Sequence, residues 1–593
     1  MDAAAAQRAL NAVQAALQHG RLDEAEQALA PLRKAYPHQK AVLYLTARHA
    51  RAKGDAAAAA RHLKKALATT PQEAPLWAEY ASTLDDAGRY QEADKAYGRA
   101  LDIEPGLVDA AIDRAVLQVT RLGRSDGLEE LQRLAEANPR HARAWRNLAA
   151  ISRSRFETSE AIAASEHALD LAPSDPAALS MRALAERDSG RPSAAFFVRA
   201  RKAAPSDAGL AVQHAVALLA EGQTGAADAL LEQVLAAQPF HEEALRAQAR
   251  LRWEQGIARP LAGFERAVGK PGCSSAIWAE YVRLSERHDG AQATLDIVAR
   301  AEAVFGNTPE VAEMRARVAC EADDPEQHEA VFAEIAKRSD PGARLLRCRF
   351  LARLHRFDEL SGLAERLLRD GYGREVLPYL SLAWRGMGDD RWHWLERDGD
   401  LVGTFEIGAR VVELDAIAEH IRAIHTASRQ PLEQSLRGGT QTDGMLFARL
   451  APEIEELRRA VEDCIAEYLA DLPPRDPKHP WLSLPRNDAR LVGAWSVRLQ
   501  GEGYHVAHIH DRGDISSASY LALPDTVGRG GGNEGGWLAI GEPPREFGLD
   551  WEPLCLIKPR EGMLVLFPSW QWHGTRPFST GERLTVAFDV ALR

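Results

Sequence analysis

The stretch Ala74–Pro105, APLWAEYASTLDDAGRYQEADKAYGRALDIEP, decides the fold of the first two thirds of the chain. Gly88 lies where a turn needs a permissive backbone, and Pro105 would end a helix. The stretch thus predicts a pair of helices, each with one face built from residues three or four positions apart: Trp77, Tyr80 and Leu84 on the first, Ala93, Tyr97 and Ala100 on the second.

Prolines recur at nearly the same interval along this part of the chain. The first five are each 34 residues apart, and the others follow at intervals of 32 to 38 residues: Pro37, Pro71, Pro105, Pro139, Pro173, Pro205, Pro239, Pro271, Pro309 and Pro341. A fixed period of this size indicates stacked repeats. Two middle units depart from the pattern, with Phe156 and Ser193 where Gly and Ala are expected. The sequence predicts an all-α solenoid, whose concave face usually binds a partner.

The hairpin and its period resemble the tetratricopeptide repeat, in ten or eleven units from the N-terminus to near residue 388. A generic array of helical hairpins is the alternative, and it would still be an α-solenoid. After Gly386-Met-Gly-Asp-Asp390 the composition changes, with tryptophans and clustered histidines. We therefore predict a multidomain chain, with a repeat solenoid over residues 1–388 and a second domain over residues 389–593.

The second domain is predicted to combine helices with short strands. Leu414–His425 and Pro452–Leu469 have the pattern of amphipathic helices, and Gly528–Gly536 is glycine-rich enough to predict a loop. Several short strands braced by helices predict a β-sandwich or jelly roll. The strands are predicted where apolar and polar residues alternate: Leu491–Leu499, Ser517–Leu523, Trp537–Ile540, Met563–Phe567 and Leu584–Val590.

Histidines near residue 508 form a candidate metal site. His508 and His510 are two positions apart, so on an extended segment they point to the same face and can converge on one ion. His505 has the opposite parity and is expected to be structural. A third ligand must come from elsewhere, and His573, just after an apolar run, is the candidate.

A basic residue follows ten positions after that histidine. Arg583 begins a predicted strand with Thr585 on the same face, and an arginine beside a hydroxyl suits bidentate binding of a carboxylate. Tyr520 is expected either to assist Arg583 or only to pack. Arg498 is expected to face inward on the strand that leads to the histidines and to contact substrate or co-substrate.

These residues resemble the signature of the Fe(II)/2-oxoglutarate-dependent oxygenases, which is a His-x-acid pair on a strand, a distal His, and an Arg about ten residues beyond it. Over about residues 400–593 the chain is similar to one bacterial and phage branch of these enzymes. The motifs that carry the similarity are Gln434–Thr442, His508-Ile-His510, Ser516…Ser519-Tyr520-Leu521, Gly536-Trp537-Leu538…Gly541-Glu-Pro543, Pro559…Glu561-Gly562, Phe567-Pro568-Ser569…His573 and Arg583-Leu-Thr585.

The resemblance implies a double-stranded β-helix, an iron(II) ion, 2-oxoglutarate as co-substrate and molecular oxygen. It assigns the metal to His508, His510 and His573, and the co-substrate carboxylate to Arg583. Tetratricopeptide repeats ahead of such a domain also resemble the architecture of some protein hydroxylases, which implies a protein or peptide substrate on the repeat surface.

The chain departs from the signature at one ligand. Most of the superfamily has Asp or Glu where this chain has His510, so three ligating imidazoles would leave the iron one more unit of positive charge. The alternative is that Asp511 or Asp514 supplies the carboxylate ligand and that His510 orients a ligand without binding the metal itself. The spacing of two residues favours His510.

Composition and charge exclude several classes of protein. The net charge is −12, from 73 basic and 85 acidic residues, which argues against nucleic-acid binding. Five cysteines without a CxxC motif fit a reducing compartment. No run of 18 apolar residues and no leader pattern occurs, so we expect a cytoplasmic protein without membrane association.

Three functions are compatible with this sequence. The first is a dioxygenase that hydroxylates a protein or peptide side chain captured by the repeats. The second is the same chemistry on a small molecule or natural product, with the repeats used for assembly. The third is a repeat scaffold with a non-catalytic barrel, which the missing Asp makes possible. The length of the solenoid favours the first, by analogy of architecture.

Overall fold

A computed structural model describes residues 3–124, 126–321, 328–338, 340–432, 434–527 and 534–593. Residues 528–533 of the predicted glycine-rich loop lie outside the described residues. The chain forms two compact units, Met1–Ala185 and Glu186–Arg593.

The first unit consists of helices that pack as consecutive pairs. Its helices are Ala3–Gln18 (α1), Leu22–Ala35 (α2), Lys40–Ala52 (α3), Ala56–Thr69 (α4), Ala74–Asp86 (α5), Tyr90–Ile103 (α6), Val108–Thr120 (α7), Asp126–Ala137 (α8), Ala142–Ser154 (α9), Thr158–Leu171 (α10) and most of Pro176–Asp188 (α11).

The pair α5–α6 confirms the predicted repeat. Tyr80 and Leu84 of α5 are buried against Tyr97 of α6, because residues three and four apart share a helix face. Gly88 has a φ of 72°, the left-handed conformation that the turn requires. Phe156, which replaces the corresponding glycine, keeps a φ of 61°, so the turn is preserved at the cost of an unfavourable backbone conformation.

The second unit continues the helical pairs. Its helices before the strands are Ala194–Ala203 (α12), Ala208–Ala220 (α13), Thr224–Ala237 (α14), Glu242–Glu254 (α15), Ala262–Val268 (α16), Ser275–Asp289 (α17), Ala291–Phe305 (α18), Pro309–Glu321 (α19), Glu329–Ile335 (α20), Pro341–Arg353 (α21), Phe357–Arg369 (α22), Leu377–Met387 (α23) and Arg391–Glu396 (α24). The solenoid class is therefore confirmed.

The C-terminal part has two antiparallel sheets, which confirms the jelly-roll class. Both predicted helices form, as Leu414–Ala423 (α25) and Pro452–Asp471 (α26). The strands are Gly403–Glu406 (β1), Leu436–Gln441 (β2), Ala489–His505 (β3), Ile515–Ala522 (β4), Leu538–Ile540 (β5), Cys555–Ile557 (β6), Met563–Pro568 (β7), His573–Thr575 (β8) and Glu582–Leu592 (β9). One sheet has the order β1-β7-β4-β9-β3-β2, and the other has the order β6-β5-β8.

The last repeat helices share a hydrophobic core with the sheets. Leu380 and Trp384 of α23 belong to the same buried cluster as Ile515, Leu566 and Trp570 of the C-terminal domain. The hydrophobic core therefore shows no boundary between residues 388 and 389. The domain division there remains a proposal based on the change in composition.

A carboxylate on α17 gives the first prediction. Burial, reinforced by the nearby Glu321, raises the pKa of Glu286 to about 7 from its usual 4.5. Because the folded pKa is raised, the folded chain loses stability as the pH rises from about 4.5 to 7. We expect Glu286→Gln to raise the free energy of unfolding by about 1–3 kcal/mol at pH 8, and to have little effect at pH 4.

Urea denaturation at the two pH values checks this prediction. Glu280→Gln on the same helix is the control, because Glu280 forms a 2.7 Å ion pair with Arg283 and should not be stabilised by the change. Equal effects of Glu286→Gln at pH 4 and pH 8 would contradict the prediction.

Candidate metal and co-substrate site

The three histidines of the predicted metal set lie together. His508 and His510 are on the extended segment after β3, and His573 is the first residue of β8. His508 and His573 exchange two backbone hydrogen bonds of 3.0 Å, which pair the segment with β8. Their candidate ligand nitrogens all lie within 4.8 Å of one another.

Hydrogen bonds fix which ring nitrogen each histidine presents. Nδ1 of His508 donates to the carbonyl of Val506, and Nδ1 of His573 donates to the carbonyl of Gln571, each at 2.9 Å. Carbonyls only accept, so Nε2 of both rings carries a lone pair. Nε2 of His508 is 3.1 Å from Nε2 of His510. A cation between such lone pairs would stabilise this arrangement, so the donor set fits a metal ion.

His508 and His573 are held in the neutral form that ligates metals. Burial, followed by the neighbouring His510, lowers the pKa of His508 to about 3. Burial also holds the pKa of His573 well below its usual value. Neutral imidazole is the ligating form, so no proton has to leave these rings at neutral pH.

The two aspartates considered as alternative ligands lie elsewhere. Asp511 is exposed, and neither it nor Asp514 belongs to the group of histidines. Asp514 is buried, with one carboxylate oxygen 2.7 Å from Nε of Arg374 and the other accepting from the backbone amide of Leu592 at 2.8 Å. Among the described residues, the structure brings three imidazoles together and places these carboxylates outside.

Sequence reasoning missed one residue of this site. Asp589 on β9 is 5% exposed, and its Oδ1 accepts hydrogen bonds of 2.7 Å from Nδ1 of His510 and from the hydroxyl of Ser516. Arg583 and Thr585 precede it on the same strand at even spacing, so all three share one strand face. That parity was the signal that could have found Asp589.

Arg583 is buried, and no described residue gives it an anionic partner. It is 2% exposed, and its guanidinium carbon lies 5.0 Å from the centre of the Tyr520 ring. Within the described part of the chain, its Nε and Nη1 have no hydrogen-bond partner. Burial lowers the pKa of Arg583, and Tyr520 opposes that shift. A buried cation without a counter-ion is costly, so the site fits an anionic ligand.

The structure places Thr585 beside Arg583 and Tyr520, as expected from the shared strand face. Thr585 is buried and lies opposite Tyr520 of β4 and Val497 of β3. Its hydroxyl donates a long hydrogen bond, 3.4 Å, to the carbonyl of Val497. The Thr585 hydroxyl could therefore donate instead to an acceptor with better geometry, such as an oxygen of a bound ligand.

The expected inward position of Arg498 is corrected. Val497 and Leu499 lie opposite Thr585 and Arg583, so they share the face of the site, and Arg498 between them points to the other face. There Arg498 pairs with Glu582 at 2.5 Å. Arg498 is therefore not brought to the histidines.

His505 lies near the group but is held by other contacts. Its Nδ1 is 3.1 Å from the hydroxyl of Ser435, and its backbone amide donates to Oγ1 of Thr575 at 2.9 Å. Its ring centre is 5.8 Å from that of His508. It lies outside the set of three whose ligand atoms converge.

Comparison with known families agrees with this geometry. Residues 493–589 match the family described as "Putative 2OG-Fe(II) oxygenase", and residues 10–74 and 50–118 match two tetratricopeptide-repeat families. The chain therefore carries tetratricopeptide repeats and a domain of this oxygenase family, as the resemblance predicted. No curated protein matches the chain.

Solved structures similar to the chain include repeat proteins and a pilus biogenesis factor. One is a tetratricopeptide repeat protein from Parabacteroides merdae, with 20% identity over 40% of this chain and 95% of its own, at a TM-score of 0.33. Another is the C-terminal part of a repeat protein from Cytophaga hutchinsonii, with 13% identity, 40% and 98% coverage and a TM-score of 0.30. A third is the type IV pilus biogenesis factor PilW, with 19% identity, 35% and 96% coverage and a TM-score of 0.32.

In the ranges that the structure describes, none of the helices combines the length and the apolar character that crossing a membrane requires.

Proposed function

We propose that the chain is an Fe(II)/2-oxoglutarate-dependent dioxygenase that hydroxylates a protein or peptide side chain held by its repeats. The observation that carries this proposal is the combination of three converging imidazoles with a buried, anion-free Arg583 in one domain. The family match supports the class of reaction. The repeats support a macromolecular substrate, because such arrays commonly bind extended partners.

His508, His510 and His573 would hold the iron ion through Nε2. Bound iron(II) and 2-oxoglutarate supply oxygen activation, in which 2-oxoglutarate is converted to succinate and carbon dioxide while the substrate is oxidised. The protein's own part is to fix the rings, and the hydrogen bonds from Nδ1 of each ring do so.

Arg583 would bind the distal carboxylate of 2-oxoglutarate. The Arg583 guanidinium, whose Nε and Nη1 have no partner among the described residues, can donate two parallel hydrogen bonds from Nη1 and Nη2 to one carboxylate, and Thr585 lies on the same strand face to donate a third. Aromatic rings lie beside the histidines: the centre of Phe567 is 4.7 Å from that of His573, and the centre of Trp495 is 5.4 Å from that of His510. Arg583 is itself 2% exposed, and exclusion of water there would strengthen its ion pair with a carboxylate.

In most of the superfamily a carboxylate ligand brings negative charge directly to the metal. In this chain Asp589 would bring that charge through its hydrogen bond to His510. Its bond to Nδ1 of His510 raises the basicity of Nε2 and fixes the ring. Asp589 is thus a positioning residue, since it acts on the metal through His510.

Replacing Asp589 tests this role. We expect Asp589→Asn to weaken metal binding about 10- to 100-fold, because the carboxylate behind a ligating histidine contributes that much in metal sites. Calorimetric titration of Mn(II) into the full chain measures it. Glu582→Gln is the matched control, since Glu582 is on the same strand but its carboxylate pairs with Arg422 and Arg498. Equal affinities of the Asn variant and the parent would contradict the role.

Succinate formation by the full chain tests the proposed function. With iron(II), 2-oxoglutarate and oxygen present, we expect slow succinate release even without substrate, and none when any one of the three is omitted. The folded, metal-loaded chain should thus consume 2-oxoglutarate. Absence of succinate under these conditions would refute the enzyme and favour a scaffold with a non-catalytic barrel.

A further inference from the structure

A groove opens beside β2 in the second unit. It has a volume of about 370 Å³ and lies between helices α13 to α15 and the segments that flank β2. The helices contribute an apolar wall that includes Val216, Leu219 and Ala247, and the other wall includes Gln441 and Asp443. We call this cavity the β2 groove.

The two walls of the β2 groove are held together by hydrogen bonds and an ion pair. Nε1 of Trp253 donates to the carbonyl of Gln430 at 2.6 Å, and the amide of Ser428 donates to the carbonyl of Glu254 at 2.9 Å. Arg250 of α15 lies 2.8 Å from the carboxylate of Asp443. These contacts hold the two walls of the groove in place before a ligand binds, so binding would not cost the free energy of ordering them.

The strand at the groove has an unpaired edge. Among the described residues, β2 is the last strand of its sheet and pairs with β3 alone. The amide of Thr442 donates to the carbonyl of Ser496 at 3.0 Å. Along antiparallel strands, residues that hydrogen-bond to the partner strand alternate with residues that do not. Since Thr442 bonds to β3, the backbone N–H and C=O of the preceding Gln441 point away from β3. An edge of this kind is a template for another extended chain.

The β2 groove reaches the proposed metal site through one side chain. Trp495 lines the groove, and its ring centre lies 5.4 Å from that of His510. Trp495 also lies opposite Ala587, between Thr585 and Asp589 on β9, so it shares the face of the site. A chain lying in the groove would therefore pass the tryptophan that packs against a proposed ligand.

We propose that the β2 groove binds the substrate as an extended polypeptide, added as a strand on β2, with an apolar side chain against α13 and α15. This proposal rests on the proposed function, because it says how the reacting side chain is delivered. Backbone donors and acceptors at strand spacing match another backbone, and alternate side chains of an added strand would point to the helices. A small molecule would not use the edge in this way.

Selection of peptides by the full-length, metal-free chain tests the proposal. The probe is a displayed library of random twelve-residue peptides, and the affinity of enriched peptides is measured by fluorescence polarisation. We expect Ala247→Trp, which fills the groove, to weaken binding at least tenfold. Ala279→Trp is the matched control, since Ala279 is also a half-buried alanine beside the same core but does not line the groove.

A second pair of variants tests the strand edge itself. Gln441→Pro removes the outward amide while Gln441→Ala keeps it, so we expect only the proline variant to lose peptide binding at least tenfold. Circular dichroism confirms folding, and this pair also keeps the proposal falsifiable if Ala247→Trp does not fold. Enrichment of no peptide, or equal binding to the parent, Ala247→Trp and Gln441→Pro, would overturn the proposal.

The outcomes separate this proposal from the enzymatic one. Peptide binding here requires neither iron nor 2-oxoglutarate. Succinate formation without peptide enrichment would overturn the proposed peptide binding in the β2 groove, and the proposed dioxygenase activity would still stand. Peptide binding that depends on the groove, without succinate formation, would support the proposed peptide binding and overturn the proposed dioxygenase activity.

Discussion

Replacing His573 by alanine is expected to weaken iron binding by more than about 100-fold, because a hydrogen-bonded residue behind a ligand already contributes 10- to 100-fold. The variant removes one of the three nitrogens that converge within 4.8 Å. His508→Ala should have the same effect. The repeat helices should stay folded, and calorimetric titration with Mn(II) together with circular dichroism measures both properties.

His505→Ala is the matched control for this prediction. His505 is a neighbouring half-buried imidazole, but its Nδ1 contacts Ser435 and it lies outside the converging set. We expect its replacement to leave metal affinity within a few-fold of the parent. Full metal occupancy in His573→Ala, or loss of metal in His505→Ala alone, would contradict the assignment of ligands.

Arg583→Ala is expected to weaken binding of 2-oxoglutarate by two to three decades or more. Removing one partner of a buried, hydrogen-bonded charge pair costs about 3–5 kcal/mol, and each 1.4 kcal/mol is tenfold in affinity. Metal affinity should change little, because Arg583 is not among the converging ligands. Titration of 2-oxoglutarate into the Mn(II)-loaded chain measures the loss directly.

Arg498→Ala separates this effect from a general loss of positive charge. Arg498 lies on the neighbouring strand but faces away from the site and pairs with Glu582. Its replacement should leave 2-oxoglutarate affinity unchanged. Unchanged affinity in Arg583→Ala would show that another cation binds the distal carboxylate.

The repeat solenoid could be predicted in detail because its signals are local. Each helical hairpin is specified within about 34 residues by apolar spacing, a turn and a proline, and its partner is its neighbour along the chain. Gly88 and Pro105 therefore fall where the sequence predicts them. Even where Phe156 replaces glycine, the neighbouring helices impose the same turn.

The sequence predicted five strands and missed four. The missed strands, β1, β2, β6 and β8, have three to six residues each, whereas β5, with only three residues, was predicted as part of Trp537–Ile540. The positions of the missed strands depend on pairing with strands far away in sequence. For the same reason, the shared core of α23 and the sheets could not be inferred from the change in composition.

The candidate site divides in the same way between local and long-range information. The spacing of His508 and His510 is local, and the structure places both rings together. The direction of Arg498 depends on the register of β3 with β9, which the sequence did not specify. Asp589 shares its strand parity with Arg583 and Thr585, but its contact with His510 depends on how β9 lies relative to the histidine segment, which the sequence did not specify.

The most direct test of the central claim is anomalous scattering from a crystal of the full chain with Mn(II) and 2-oxoglutarate. We predict one strong peak within bonding distance of Nε2 of His508, His510 and His573, with the distal carboxylate of 2-oxoglutarate on Arg583. A metal bound by Asp511 or Asp514 instead of His510, or a co-substrate whose carboxylate does not contact Arg583, would contradict the account.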